Sequence, residues 1–138
     1  MSNPGMAISG AAVVRAADAM LHTLGGEQVI LLFPLLQMPN DPSVQLGLVD
    51  PGVEQVPFSP VVVRTLVTPS HGPRRRLEFL ISSTAVNAAL TSQNMATAEA
   101  LFANSLGVMF DNELFHIEGV ATEYFAGTPY LYKVTAVE

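Results

Sequence analysis

Apolar and polar positions alternate along this chain with two periods, and the switches between them mark its elements. Val13, Ala17, Met20, Leu21 and Leu24 recur at helical spacing in a stretch rich in alanine, which predicts a helix over Ser9–Leu24. Ser9 is a natural N-cap and Gly25-Gly26 a natural stop. Arg15, Asp18 and His22 fall on the opposite face and read as solvated charges. Val29–Phe33 is an unbroken apolar run of strand length, expected to be covered on both faces, and Pro34 ends it or puts it at an edge because proline cannot donate to a ladder. Val61–Thr68 is a β-branched strand whose expected partner is Leu77–Ser83, with the turn Pro69–Pro73 and three arginines between them.

From Gln37 to Pro60 the texture changes. Five prolines and Asp50-Pro51-Gly52 interrupt two short apolar pieces, Val44–Val49 and Val53–Val56. The segment 37–60 reads either as a hairpin turning at Asp50-Pro51-Gly52 or as an extended loop or arm, and structureless loops of that length in a compact domain usually serve a function. Ser82–Leu90 carries a short helical turn. A longer helix is predicted over Ser92–Leu106, with Met95, Ala98, Leu101, Phe102 and Leu106 on one face, Thr91 or Ser92 as cap and Gly107 as stop.

The last thirty-odd residues read as a three-stranded meander. Asp111-Asn112 between Val108–Phe110 and Leu114–Ile117 is a hairpin signal, since both residues tolerate left-handed backbone angles. Strand alternation puts Phe115, Ile117, Gly119 and Ala121 on a core-like face, opposite Leu114, His116, Glu118 and Val120. In the final strand Tyr130, Tyr132, Val134 and Ala136 alternate with Leu131, Lys133, Thr135 and Val137, so neither face is plainly polar. A strand apolar on both sides suggests closure into a barrel or cover by another element or subunit. The predicted fold is therefore mainly β with two helices. It is a single domain over 1–138, a small β-barrel or sandwich of about six to seven strands with an N-terminal helix and a second short helix before a C-terminal meander.

Composition adds a reason for association. Only 13% of the 138 residues are charged, about half the usual ~25%, while 49% are hydrophobic. A free monomer of this composition would expose apolar area of the kind that marks contact sites. Net charge is −6, which argues against a binder that neutralises phosphates, although not against a protein past which DNA slides. Without cysteine there are no disulfides or thiolate metal sites. The first residues lack the pattern of a signal peptide and no apolar run nears the about 18 residues that span a bilayer, so a soluble, membrane-free protein is expected.

Candidate chemistry is sparse. His22, His71 and His116 are scattered, and His116 with Glu118 offers two of the three or four ligands a metal needs. No phosphate loop, nucleophile elbow or carboxylate pair stands out, so no catalytic residue, metal or cofactor is expected and the chain does not read as an enzyme. Arg74, Arg75 and Arg76 hold half of the positive charge. They read as a solvated turn guarding a strand end, with contact to an acidic partner subunit as an alternative and a phosphate clamp as a weaker one. Tyr124, Phe125, Tyr130 and Tyr132 bring aromatic surface to the closing strands, suited to core or subunit interface.

The N-terminal helix, the β-rich middle with its proline-rich excursion, the second helix and the closing pattern Leu114-Phe-His-Ile-Glu-Gly-Val120 followed by Ala126-Gly-Thr-Pro-Tyr-Leu-Tyr-Lys-Val134 resemble the small head-tail joining proteins of tailed bacteriophages, also called neck, head-closure or stopper proteins. The likeness runs mainly over Ser82–Val137 and lies in strands and turns, not in chemical groups. It implies that an element like Glu113–Val120 pairs with a last strand like Tyr130–Val137. It further implies a virion protein made in the host cytoplasm, forming a homo-oligomeric ring between portal or adaptor and tail, docking the tail and letting double-stranded DNA pass without sequence-specific binding. Asn40, Asp41, Asp50 and Glu54 on the proline-rich segment, Arg74, Arg75 and Arg76, and the aromatics Tyr124, Phe125, Tyr130 and Tyr132 are then the candidate oligomer and partner interface. A tail-terminator or tail-tube protein of the same virion is the neighbouring reading, and a small-molecule-binding β-barrel is one of a different class.

Overall fold

The computed structural model describes residues 9–24, 26–34, 53–66 and 74–138. The elements in chain order are helix α1 (Gly10–Thr23), strands β1 (Glu27–Pro34), β2 (Val53–Leu66) and β3 (Arg76–Ser82), helices α2 (Ser83–Gln93) and α3 (Ala98–Ala103), and strands β4 (Gly107–Phe110), β5 (Glu113–Phe125) and β6 (Thr128–Val137). All six strands pair antiparallel in the order β1-β2-β3-β6-β5-β4 and close into a barrel through β1 and β4. Of the two sheet architectures compatible with the sequence, it is the barrel that forms.

The lumen is filled by side chains. Val29, Leu31, Phe58, Val61, Phe79, Ile81, Val108, Phe115 and Val134 are almost fully buried. Phe79 meets Phe110 and Phe115 edge-on at centroid distances of 6.0 and 6.2 Å. Each such aromatic contributes about 1.5–3 kcal/mol through removal of its surface from water, so the rings anchor the closure. At one end α3 acts as a plug, with Phe102 lying 6.3 Å from Phe58 and 6.5 Å from Tyr132.

Local chemistry explains the element ends. The Ser9 hydroxyl accepts from the Ala12 amide at 3.1 Å and starts α1 as its sequence predicts. Only Ala17 and Leu21 of its expected apolar stripe are buried, while Met20 and Leu24 stay exposed, because the helix packs along Gly10, Ala17 and Leu21. Gly10 lies so close to Thr128 that a Cβ there would overlap its side chain. Asp18, expected to be solvated, accepts from the Thr84 hydroxyl at 2.8 Å and so ties α1 to α2.

The middle helices depart from expectation. The short turn predicted at Ser82–Leu90 is an 11-residue helix, capped by the Ser82 hydroxyl on the Ala85 amide, and the single long helix predicted from Ser92 is broken. Asn94 adopts left-handed angles (φ 54°, ψ 46°), and the Asn94 and Met95 amides donate to the Thr91 and Leu90 carbonyls, a C-terminal closure of Schellman type. Thr97 then caps the six-residue α3 through the Ala100 amide. Ala98, Leu101 and Phe102 are buried as their spacing implies, but Leu106 lies outside the helix and is exposed.

The meander forms as read. Asp111 and Asn112 both take positive φ (54° and 62°) between Phe110 and Glu113, a type I′ hairpin turn, and Ala126-Gly127 repeats that geometry between Phe125 and Thr128. One correction concerns alternation in β5. Ile117 faces Ala136 and Gly119 faces Thr135, so Glu118 is an extra residue, a β-bulge. The bulge flips the pleat, so that Val120, opposite Val134, packs on the core and Ala121 is exposed, the reverse of simple alternation. The proline-rich segment is also shorter than 37–60, because Val53–Pro60 form the first half of β2 and pair with β1. The rest of it, and the turn at Pro69–Pro73, lie outside the described residues.

Candidate assembly interface

Strand lengths in the barrel are unequal, and the surplus defines its exposed features. β5 pairs with β4 only over Glu113–Phe115, whereas its pairing with β6 runs from His116 to Phe125. β6 in turn meets β3 only from Leu131 onward. The β5–β6 hairpin therefore projects beyond its neighbours, and its tip carries Tyr124, 59% exposed, beside the exposed Phe125. Among the described residues no backbone hydrogen bond outside the β6 ladder is made by His116–Phe125. Closing a barrel normally removes sheet edges, so this length of β5 is an exception.

Beside that edge lies an open groove of about 510 Å³ between β5 and the end of α3, with Phe102, Leu106, Ile117 and Val120 as apolar lining and Glu99 and His116 at its rim. Two smaller hollows, each about 340 Å³, lie on the outer face of β1 and β4 around Ile30, Leu32 and Met109, and between β2 and α2 around Val56 and Ala89.

The residues singled out from sequence divide into three groups. Asn40, Asp41 and Asp50 lie outside the described residues, while Glu54 sits at the start of β2, opposite Phe33, and accepts from the Gln93 side-chain Nε2 at 3.1 Å. Of the arginines, Arg74 and Arg75 are exposed, while Arg75 and Arg76 also pair with carboxylates within the chain. Arg75 lies 3.6 Å from both Glu113 and Glu138 and places its guanidinium 5.3 Å above the Phe115 ring. Glu113 is held above the usual carboxylate range, first by a hydrogen bond with the Glu138 carboxyl and then by slight desolvation, against the opposing pull of Arg75. Arg76 grips Glu118, so the only pair with metal-ligand potential in the sequence has its carboxylate committed to an arginine. Among the described residues no three His, Asp or Glu groups are placed to hold a metal ion.

The aromatics split by distance from the hairpin tip. Tyr132 is 5% exposed and belongs to the core against Phe102, so it offers nothing to a partner. Burial pushes its phenol above the ordinary range, and the negative charge of Glu99 adds to that. Tyr130 is half-buried, and only Tyr124 and Phe125 present their rings to solvent. Met20, Leu24 and Leu106 are further exposed apolar groups that helical spacing assigned to the core. The β5 edge and its groove were not legible either, because they depend on where β4 ends. No helix among the described residues is long and apolar enough to cross a membrane. Comparison with protein-family models, with curated proteins and with solved structures finds no match to this chain.

Proposed function

We propose that this chain is a structural subunit that works by associating with copies of itself, and that the assembly is the ring at the head–tail junction of a tailed bacteriophage, between portal or adaptor and tail. The observation that carries the reading is the overhanging β5–β6 hairpin, which holds Tyr124 and Phe125 in solvent at the end of a strand whose outer edge is unpaired among the described residues. Aromatic side chains on a rigid hairpin bury large area at low rotamer cost, which suits a subunit contact. A surface with few charges to hold it apart from its copies supports the same reading. The resemblance of Ser82–Val137 to neck proteins supplies the location, and an excess of six negative charges would let a duplex pass without adhering. Because the lumen is packed with Phe58, Phe79 and Phe115, a ligand of the kind carried inside larger barrels has no room there.

The test is to follow a tagged chain into tailed particles and to image both the particles and the purified protein. Rings of uniform symmetry and label at the neck are expected. Label along or at the far end of the tail tube would favour the tail-terminator or tail-tube reading. A protein absent from particles, monomeric at all concentrations and stabilised by apolar small molecules would overturn the proposal.

A further inference from the structure

We infer that the groove between α3 and the edge of β5 left unpaired among the described residues is the acceptor site for an extended segment, Val44–Val49, of a second copy of this chain, which adds to the barrel as a strand. The inference rests on the self-association proposed above and specifies its contact. A sheet edge walled by a helix is the geometry in which extended peptides bind by strand addition: main-chain groups supply affinity, and alternate side chains enter the groove. Here the edge is His116–Phe125, of which His116–Val120 line the groove, the opposite wall is α3 with Leu106, and Phe102, Leu106, Ile117 and Val120 supply its apolar part.

The occupant is argued from chain length and from where the described chain leaves off. Pro34 of β1 and Val53 of β2 face each other in the ladder, so the 18 residues 35–52 leave and re-enter the barrel at one point. Eighteen residues going out and back reach about 30 Å, comparable with the width of a small domain and enough to meet a neighbour. The exit is close to the acceptor's side of the barrel, since the Leu32 carbonyl accepts from the Leu106 amide at 2.7 Å and Leu106 lines the groove. Contacts of this kind therefore need not cross the whole subunit, and a donor segment meeting an acceptor groove on a different surface is a heterologous contact, the type that generates rings when its rotation closes.

Sequence fits the groove. Val44, Leu46 and Leu48 alternate with Gln45, Gly47 and Val49, which puts three aliphatic groups on one side of an extended strand. The hexapeptide carries no charge, so it meets no repulsion from Glu99 and Glu118, which both line the groove.

The chain has no native cysteine, which makes directed crosslinking clean. Gln45→Cys and Ala121→Cys are prepared as separate proteins, mixed and treated with a short bis-maleimide, with Thr65→Cys on β2 replacing Ala121→Cys as control and sedimentation velocity run in parallel. A covalent dimer is expected from the Gln45→Cys and Ala121→Cys mixture, not from the control mixture, and it should be lost when Leu46→Glu is added to the donor. Copies that associate in the centrifuge but give no crosslink above control would overturn the groove inference alone and leave the assembly reading standing. Copies that do not associate at all would remove both. A Gln45→Cys, Ala121→Cys double variant that closes within a single monomer, with no dimer formed, would likewise overturn exchange between copies.

Discussion

Arg76 at the start of β3 reaches across β6 to Glu118 in the bulge of β5, its Nη2 donating to Oε1 at 3.0 Å while Nε lies 2.9 Å from Oε2. The strand between them explains the span, for Arg76 and His116 both face Val137 of β6 from opposite sides. The extra residue in β5 is thus aimed at a cation two strands away. Both side chains are about one-third exposed, so solvent screens the pair. Glu118→Gln is expected to lower unfolding stability by about 0.5–1 kcal/mol, at the upper end for exposed pairs because the contact has two points. Urea titrations in low and high salt check this, with the difference between variant and parent shrinking as salt rises.

Gly107 begins β4 with φ +148°, and a Cβ placed there would sit 2.5 Å from the Phe115 carbonyl oxygen. That obstacle is backbone in the adjacent strand and cannot swing away. Gly107→Ala should therefore cost about 2 kcal/mol through strain and displaced pairing. The measurement is the denaturation midpoint. An unchanged midpoint would mean that β4 shifts freely against β5.

How much of this was legible in the sequence depended on the range of the interaction. The Asp111-Asn112 turn, the Ser9 cap and the pairing of Val61–Leu66 with Arg76–Ile81 follow from neighbouring residues or from strong β-branched runs, and they stand as read. Local signals also placed Ala98, Leu101 and Phe102 in the core, while missing that Asn94 would turn left-handed and divide the helix. Glu118 was not legible, because nothing in Ile117-Glu118-Gly119 says which residue will lack a partner. That is decided by Arg76, 42 residues earlier, and by the packing of Val120 on Val134. The edge of β5 that is unpaired among the described residues was invisible for a similar reason, since β4 stops after four residues.

Ala126 carries a conformational cost in the β5–β6 turn. Its φ of 48° is left-handed, where a Cβ crowds the following carbonyl, while Gly127 beside it bears the same sign without penalty. Ala126→Gly should stabilise the protein by about 0.5–1 kcal/mol, the strain relief exceeding the added freedom of the unfolded chain. Asn at this position should do nearly as well. Thermal unfolding reports the gain, and because Tyr124 and Phe125 remain in place, self-association should not weaken.

Deleting Asn40–Asp50 separates the arm from the barrel. Those residues lie between Pro34 and Val53, whose pairing closes the excursion, and Glu54 with its Gln93 bond is left intact. The deletion should fold with a far-ultraviolet spectrum of unchanged β character and a stability within about 1 kcal/mol of the parent, since shortening a loop changes closure entropy only slowly. Its oligomers should be lost in sedimentation. Global unfolding would show that these residues belong to the core.

Tyr132 distinguishes core from interface by its response to charge and to pH. Its ring is buried against Phe102, so Tyr132→Asp strands a carboxylate in the barrel mouth and should destabilise by about 4 kcal/mol or more, in monomer and assembly alike. The phenol is raised above 10.0, chiefly by desolvation, so its folded-state value exceeds its unfolded one. A raised value stabilises the fold fully below the unfolded pKa, and that contribution is lost as pH climbs through the folded pKa, which sets the window above about pH 10. Tyr132→Phe keeps the ring, removes the ionisable group and should flatten the decline in stability over that window while leaving neutral-pH stability within about 1 kcal/mol. Denaturation of parent and variant at pH 8 and pH 11 checks the sign, and an identical decline in both would assign the alkaline sensitivity to other groups.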